Sequence, residues 1–549
     1  MKVDFVHLWH FVIRLFLACW MTFAAWGQPA PPLPDATASN TLRQALDAAT
    51  AGDIGSAKAL LESGAQAYPD DPRFAVELAG IAFLEKRHSE AKGLLHRARR
   101  MGSTDDYVSE FLGTLYLLEG NTEAALALWN GIGKPLLAED GLNTGFEGIL
   151  RLALASDVVR FSAGGVLTRN ELLRAERNTE LLGVCGSKRT LLEAASDGRY
   201  KARLSCVERP SFGENRVASL LMLGRGLGYQ TVHLRLPNID GRAFSWNSML
   251  RWDPRKRRVW TETAMPLAGR AGWRLRLDAD ARHEHWQLLA PASREVRQAF
   301  LYRRAEAGIA VAAVLGPRST WENRVSFANR SFAREAELTA TNGVANSRLF
   351  EGTSIRYAHS IESDLFRNPM RRVFVTASGE GSFERYLAQG SNVYRGGGAM
   401  TIRWLPAASG DDGLTQLRIA AGALRGPSAL PELFTIGLER DGGIPLRGHI
   451  GTSGGHKGSA LYGDRYLSSN LEVQKTLLRL GVVTFALAPF LDVAWVRDPA
   501  RLYGARRTQF DAGVQWIAAT PGGTQIRLSY AWDLRNRRRS FYAYSEPFP

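Results

Sequence analysis

Three things are scarce in this sequence of 549 residues: long apolar runs, cysteines and clustered basic residues. No stretch outside the first 27 residues reaches the about 18 uninterrupted apolar residues of a membrane-spanning helix, which excludes such a helix but not a spanning β-barrel. The net charge is +15, yet the arginines are spread along the chain and no nucleic-acid-binding motif accompanies them. We therefore expect no nucleic-acid partner, and we interpret the arginines as lumen, loop or lipid-headgroup charges.

The first 27 residues have the pattern of an export signal. Basic residues accompany the apolar stretch LFLACWMTFAAW, and Ala25-Trp26-Gly27 fits the small-x-small rule for cleavage. An uncleaved anchor is the alternative. We predict a signal peptide over 1–27, followed by a flexible linker over 28–38.

Residues 39–135 are helical and repeat with a period of 34 residues. The recurring positions are Ala57, Ala91 and Ala125, then Leu61, Leu95 and Trp129, then Leu78 and Leu112. Small alanines let paired helices approach, and the large residues fill the groove between repeats. The segment resembles about three tetratricopeptide repeats, which present a concave surface to a peptide or partner protein; an ordinary helical bundle is the alternative. Residues 136–156 are predicted as a connecting helix.

Residues 157–210 are predicted to form a strand, a helix and two more strands. VVRF begins the segment, Thr168 is the predicted N-cap of the helix, Gly183 is its predicted end, and SDGR is a turn signal. This order, with the closing VERP, resembles a POTRA domain. Export implies an oxidising compartment, so a disulfide between Cys185 and Cys206 is feasible if they lie on adjacent strands.

From residue 211 to the end, apolar and polar residues alternate as they do in β-strands. WRLRLDADAR (273–282) and QIRLSYAWDL (525–534) each place large apolar residues on one face and charged or polar residues on the other. In a soluble sandwich the apolar face would be the core, whereas in a membrane barrel it would meet lipid. Export, segments of about 9–11 residues and aromatic residues near segment ends favour the barrel. At roughly 20 residues per strand and connection, 211–549 predicts a transmembrane antiparallel barrel of sixteen strands.

The run GGIPLRGH (442–449) places one arginine among backbone breakers. With the following FALAPFLDVAWV and the aromatic last strand, it resembles the BamA/TamA-like outer-membrane assembly-factor family over roughly 157–549. The resemblance implies a sixteen-stranded barrel preceded by POTRA domains, with an Arg-Gly motif at the tip of a loop folded back into the lumen. Here the motif is Leu446-Arg447-Gly448-His449, and the histidine stands where the family usually has an aromatic residue.

A buried arginine needs carboxylate partners, and strand parity supplies two of them. Glu472 and Asp492 each lie between apolar residues that are predicted to face lipid, so both point inward. We predict a lumen lock in which Arg447 bonds Asp492 with the assistance of Glu472. Gly448 lets the loop backbone pass close to the wall.

The resemblance implies that the protein handles other polypeptides by strand templating rather than by bond chemistry. A client strand would add to a weak lateral seam between the first and last strands through main-chain hydrogen bonds. The seam residues are Gly228, Tyr229, Val232, Leu234, Tyr542, Tyr544 and Phe548.

The expected partners are outer-membrane lipid, client polypeptides and an accessory factor on the repeats, with the N-terminal domains in the periplasm. We expect no enzyme activity, no cofactor and no metal, because the serine of GTSGG (451–455) lies in a glycine-rich loop and further ligands for HEH (283–285) cannot be placed. The alternatives are a dedicated secretion or polysaccharide export pore, and a soluble periplasmic repeat scaffold with a β-sandwich.

Overall fold

The computed structural model describes residues 36–143, 146–195, 197–209, 211, 226–227, 230–289, 296–334, 348–406, 412–427, 429–439, 441–481, 483–498, 508–519 and 525–546. The predicted signal peptide and the seam residues Gly228, Tyr229 and Phe548 lie outside them. The chain divides into two compact units, residues 1–112 and 113–549. No helix in the described part of the chain is long and apolar enough to cross a membrane.

Six helices follow one another in the repeat region. They are α1 (Ala36–Thr50), α2 (Ile54–Ala67), α3 (Pro72–Leu84), α4 (His88–Arg100), α5 (Asp106–Leu118) and α6 (Thr122–Trp129). Asp53, Asp71 and Asn121 each accept a backbone N–H in the first turn of a helix, which explains where α2, α3 and α6 begin. The recurring small residues Ala57, Ala91 and Ala125 are fully buried, as the 34-residue period predicts.

A small α/β domain follows. It contains β1 (Leu137–Asn143), α7 (Leu152–Val158), α8 (Arg169–Leu182), β2 (Cys185–Ala194) and β3 (Tyr200–Glu208). Its sheet has the order β1-β3-β2, with β1 parallel and β2 antiparallel to β3. A capping box of Thr168 and Glu171 begins α8, and Gly183 ends it with φ 68°. The disulfide between Cys185 and Cys206 joins β2 to β3, with the two Cα atoms 5.5 Å apart.

Two sequence expectations in this region are wrong. The predicted connecting helix over 136–156 begins instead with β1, because its backbone pairs with β3. The predicted strand VVRF is not a strand, since Val158 ends α7 and no pairing partner follows it in the described sheet. Pairing between distant strands determines the structure of both segments, and the local sequence of neither segment carries that information.

The remaining strands, except two short ones, form a closed antiparallel barrel. Its long strands are β4 (Thr231–Ile239), β5 (Phe244–Arg251), β6 (Lys256–Pro266), β7 (Trp273–Leu289), β8 (Val296–Val314), β9 (Ser319–Arg334), β10 (Gly352–Asn368), β11 (Val373–Tyr386), β12 (Ser391–Trp404) and β13 (Gly413–Arg425), then β18 (Arg465–Leu480), β19 (Val483–Arg497), β20 (Gln509–Ala519), β21 (Gln525–Asp533) and β22 (Arg538–Glu546). The short strands β14 (Phe434–Ile436), β15 (Thr452–Ser453), β16 (His456–Lys457) and β17 (Leu461–Gly463) lie between β13 and β18. Of these, β14 and β17 are the two outside the barrel sheet, and they pair with each other in a separate two-stranded sheet.

The strand count differs slightly from the sequence estimate of sixteen. The described residues contribute seventeen strands to the barrel sheet, and β15 and β16 have only two residues each, which leaves fifteen long strands. The estimate divided the chain length by an average number of residues per strand and connection. It could not anticipate strands of seventeen to nineteen residues such as β7 and β8.

The barrel has its apolar face outside and its charged face inside. On β7 the side chains of Trp273 and Leu277 are 38% and 43% exposed, whereas Asp280 is 8% exposed. On β21 Trp532 is 41% exposed and Asp533 is 2% exposed. This is the inverse of a water-soluble fold and matches strands whose outer face meets hydrocarbon. The alternative of a soluble sandwich is therefore wrong.

Candidate functional site: a loop held inside the barrel

The segment between β13 and β18, residues 426–464, is called the lumenal loop here. The two flanking strands pair directly with each other, with Ala423 opposite Arg465, so a much shorter turn could connect them. Instead it contacts inward-facing side chains on three parts of the barrel wall. Leu446 and Arg447, near its middle, are 0% and 6% exposed.

Arg447 is held by the wall formed by β18 and β19. Its Nε lies 2.8 Å from Oδ2 of Asp492, and its Nη2 lies 2.7 Å from Oδ1 of the same carboxylate. Its backbone N–H also donates to Asp492 at 2.9 Å, and its Nη1 donates to Glu472. The bidentate geometry and the second carboxylate together supply what a buried guanidinium requires.

Aromatic and backbone packing complete the arginine site. The guanidinium carbon of Arg447 lies 3.7 Å from the centre of the Phe490 ring, within the range of a cation–π contact. Asn470 donates to both Asp492 and the carbonyl of Pro445, at 2.9 Å each, which ties the chain before Arg447 to β18. Phe490 and Asn470 were not predicted from the sequence.

Gly448 occupies a position that no other residue could take without rearrangement. Its backbone N–H donates to Oδ2 of Asp511 on β20 at 2.5 Å. A Cβ atom at this residue would lie 2.6 Å from the carboxyl carbon of Asp511. The loop backbone therefore passes close to the barrel wall at Gly448, as the sequence predicts.

A second anchor holds the loop to another part of the wall, formed by β9, β10 and β11. Glu432, which is 1% exposed, accepts hydrogen bonds from Arg356 on β10 and from the hydroxyl of Tyr386 on β11. Arg330 on β9 lies 3.9 Å from Glu432 and 2.7 Å from Glu384. The anchor is thus a network of buried charges rather than a single pair.

A third anchor joins the loop to β5, β6 and β7. Asp441 lies 3.0 Å from Arg251, 2.7 Å from Arg258 and 2.8 Å from Lys457. Lys457, also in the loop, lies 2.8 Å from Glu284 of β7. The three anchors together fasten the loop to well-separated sectors of the barrel, so it lies across the lumen.

A cavity of about 840 Å³ lies between the lumenal loop and α8. Loop residues Gly442, Gly443 and Ile444 line it together with Arg177 and Leu181 of α8. Barrel strands supply the remaining walls. The cavity is therefore bordered by the loop on one side and by the small α/β domain on the other.

Ion pairs fix the small α/β domain to the end of the barrel opposite the loop. Arg177 of α8 lies 3.1 Å from Glu362 and 3.0 Å from Asp364, both on β10. Glu123 of α6 lies 2.7 Å from Arg367 at the end of the same strand.

Glu123 also lies 2.7 Å from Arg169 of α8. Burial would by itself raise the pKa of Glu123, but the hydrogen bonds and charges of Arg367 and Arg169 outweigh burial and hold that pKa below its ordinary value.

The structure places the predicted site residues as follows. It brings together Arg447, Gly448, Asp492 and Glu472. In the barrel order β22 neighbours β4, and these strands carry Tyr542 and Tyr544, and Val232 and Leu234, respectively. A weak seam between them stays a prediction.

Sequence reasoning missed the anchors at Glu432 and Asp441. Both acids lie in irregular loop sequence, where no strand parity marks an inward direction. The one available signal was an acid flanked by apolar residues or glycines in a segment too apolar for an exposed loop.

Comparison with known proteins gives a family match for the repeats and similarities to solved structures over part of the chain. A tetratricopeptide repeat model matches residues 48–115, and no curated protein matches the chain. The structure of BamA from Haemophilus ducreyi lacking POTRA domains 1–3 is similar at 12% identity and a TM-score of 0.44, covering 75% of this chain and 84% of that one. CdiB from Escherichia coli is similar at 11% identity and a TM-score of 0.45, covering 74% and 73%. CdiB from Acinetobacter baumannii is similar at 11% identity and a TM-score of 0.43, covering 88% and 86%.

Proposed function

We propose that this protein is an outer-membrane barrel that inserts other polypeptides into the membrane or passes them across it. The observation that carries the proposal is the lumenal loop with Arg447 bound to Asp492 inside a barrel whose outer face is apolar. A loop held inside the lumen by buried ion pairs can change position without unfolding the barrel wall. A barrel that serves only for passive diffusion does not need such a loop. The small α/β domain then acts as a POTRA domain that delivers clients, and the tetratricopeptide repeats recruit clients or an accessory factor.

The templating step would use main-chain hydrogen bonds at the junction of β22 and β4. A client strand pairs with an exposed strand edge, and its alternate side chains then face lipid. The step requires no nucleotide, because pairing and burial of the client strand supply the driving force.

A dedicated secretion pore is the second candidate, and the 840 Å³ cavity favours it. A cavity between two separately anchored barriers is what a path through the lumen needs, whereas insertion at the seam does not use the lumen.

Depletion of the protein, followed by quantitative proteomics of the outer membrane and the medium, tests both candidates. Insertion predicts that many barrel proteins decrease in the membrane, and secretion predicts that one or a few exported proteins disappear from the surface or the medium. Complementation with Arg447→Ala should restore protein level but not activity. Unchanged membrane and secreted proteins after complete depletion would refute both candidates.

A further inference from the structure

His449, the residue after the Arg-Gly motif, lies between two buried carboxylates. Its Nδ1 lies 3.1 Å from Oδ2 of Asp511, and its Nε2 lies 3.5 Å from Oδ2 of Asp533. Asp511 and Asp533 face each other directly across β20 and β21, and their side chains are 0% and 3% exposed. Neither aspartate was singled out by the sequence.

This part of the lumen holds more negative than positive charge. Asp492 and Glu472 are matched by Arg447, and Glu472 also lies 3.2 Å from Arg527. In the described residues no lysine or arginine side chain forms an ion pair with Asp511 or Asp533. Asp533 accepts hydrogen bonds from the backbone N–H groups of Arg535 and Asn536 and from the side-chain amide of Asn536, and the imidazole of His449 contacts both carboxylates. Two adjacent buried carboxylates are costly unless a cation compensates them.

A second observation at Asp511 also indicates a missing ligand. Its Oδ1 is buried and has no hydrogen-bond partner among the described residues. Its Oδ2 accepts from Gly448 and contacts His449. A buried carboxylate oxygen without a partner has lost its hydration without replacement.

We propose that His449, Asp511 and Asp533 bind a divalent transition-metal ion such as Zn²⁺, which fastens the tip of the lumenal loop to β20 and β21. One imidazole nitrogen and two carboxylate oxygens, with a water completing the shell, are a donor set that Zn²⁺ accepts. One ligand atom from each residue lies within 4.8 Å of the other two. Tetrahedral bonds of about 2.1 Å separate ligands by about 3.4 Å, so rotation of the carboxylates and small shifts of the loop close the shell.

The competing arrangement is a protonated imidazole that bridges the two aspartates and holds no metal. The two arrangements differ in a property that does not depend on transport. A metal site binds one ion per chain with defined spectroscopy, whereas the bridge binds none.

The test uses the full-length protein, purified in detergent with a histidine-free tag and stripped with a chelator. Calorimetric titration with Zn²⁺ should show one ion bound per chain, and Co²⁺ should give the visible absorption of a tetrahedral site. His449→Phe and Asp533→Asn should each weaken binding by at least about 100-fold, because loss of a ligand should cost at least as much as the about 10–100-fold that loss of an outer-shell partner costs. His285→Phe is the matched control, because His285 belongs to the barrel's other histidine group, with His283 and His456.

The controls make each outcome decisive. Shifted gel migration without heating verifies that each variant keeps its barrel, and Phe at residue 449 preserves an aromatic ring beside Gly448. Absence of Zn²⁺ binding in the stripped protein would overturn the proposal in favour of the imidazolium bridge. Unchanged binding in His449→Phe, or loss of binding in His285→Phe, would also overturn it. All three results leave the proposed transport function standing, since none of them measures transport.

Discussion

At the residue scale, Arg447 matters because it is a buried charge whose partners are buried as well. Asp492 is fully buried and depends on Arg447 for a counter-charge, so removal of the arginine leaves an uncompensated carboxylate rather than merely a lost contact. The energetic effect of a variant therefore depends on which member of the pair remains.

Arg447→Met should lower the free energy of unfolding by about 3–5 kcal/mol, the usual cost of stranding one member of a buried ion pair. The double variant Arg447→Met, Asp492→Asn should be less destabilised than the single one. Asparagine removes the stranded charge while keeping an acceptor for the loop backbone and for Asn470. Urea titration in detergent, followed by tryptophan fluorescence, measures both. A double variant less stable than Arg447→Met would show that Asp492 is compensated by something other than this arginine. Arg465→Met, an exposed arginine of β18, is the control.

Residue patterns in the sequence could reveal the lock because strands have a period of two. The inward direction of Asp492 and Glu472 follows from their apolar neighbours, and the loop motif supplies the arginine. Glu432, Asp441 and His449 could not be assigned in this way. Their partners are far apart in sequence, as with Arg251 and Asp441, and are brought together only when the barrel closes.

At the element scale, the helices α6 and α8 are positioned by charges that the barrel supplies. The sequence predicted α8 almost to the residue, because its capping box and terminal glycine are local signals. It could not predict β1, whose pairing with β3 is non-local, nor the docking of both helices on β10. Local chemistry thus fixes where helices begin and end, and long-range pairing fixes which neighbours they meet.

The docking of α6 should weaken in acid. The folded-state pKa of Glu123 is lower than its unfolded value of about 4.3, so its contribution is fully present above that value and is lost as pH falls through the folded-state pKa. Glu123→Gln should cost about 2 kcal/mol of docking at neutral pH, the worth of hydrogen bonds to a charged group, and much less below the folded-state pKa.

Spin labels at Ala127 of α6 and Arg371 of the adjacent barrel turn measure this docking as a distance distribution. The distribution should broaden in Glu123→Gln at pH 7, and in the wild type only in acid. Glu193→Gln, at an exposed site on β2, should behave as the wild type does. A Glu123→Gln distribution identical to the wild type at neutral pH would contradict the docking role.

At the scale of the whole molecule, two elements border the cavity inside the barrel. The lumenal loop lies on one side of it and α8, with its ion pairs to β10, lies on the other, so we expect each to act as a barrier to passage through the lumen. Two barriers along one path act as resistances in series, so when either one is removed the other still limits the current.

This arrangement predicts how ionic conductance responds to opening each end. Replacement of 427–463 by a short glycine-serine linker is geometrically permitted, because β13 and β18 already pair next to it. That variant should show only a modest rise in single-channel conductance in planar bilayers, as should Arg177→Ala combined with Glu123→Gln. The loop replacement combined with Arg177→Ala and Glu123→Gln should raise conductance by more than the sum of the increases that the two variants show separately. Arg174→Ala, an exposed arginine on the same helix, should leave conductance unchanged. If the loop replacement alone gave the same conductance as the combined variant, α8 would not obstruct the lumen, and the loop would be the one barrier beside the cavity.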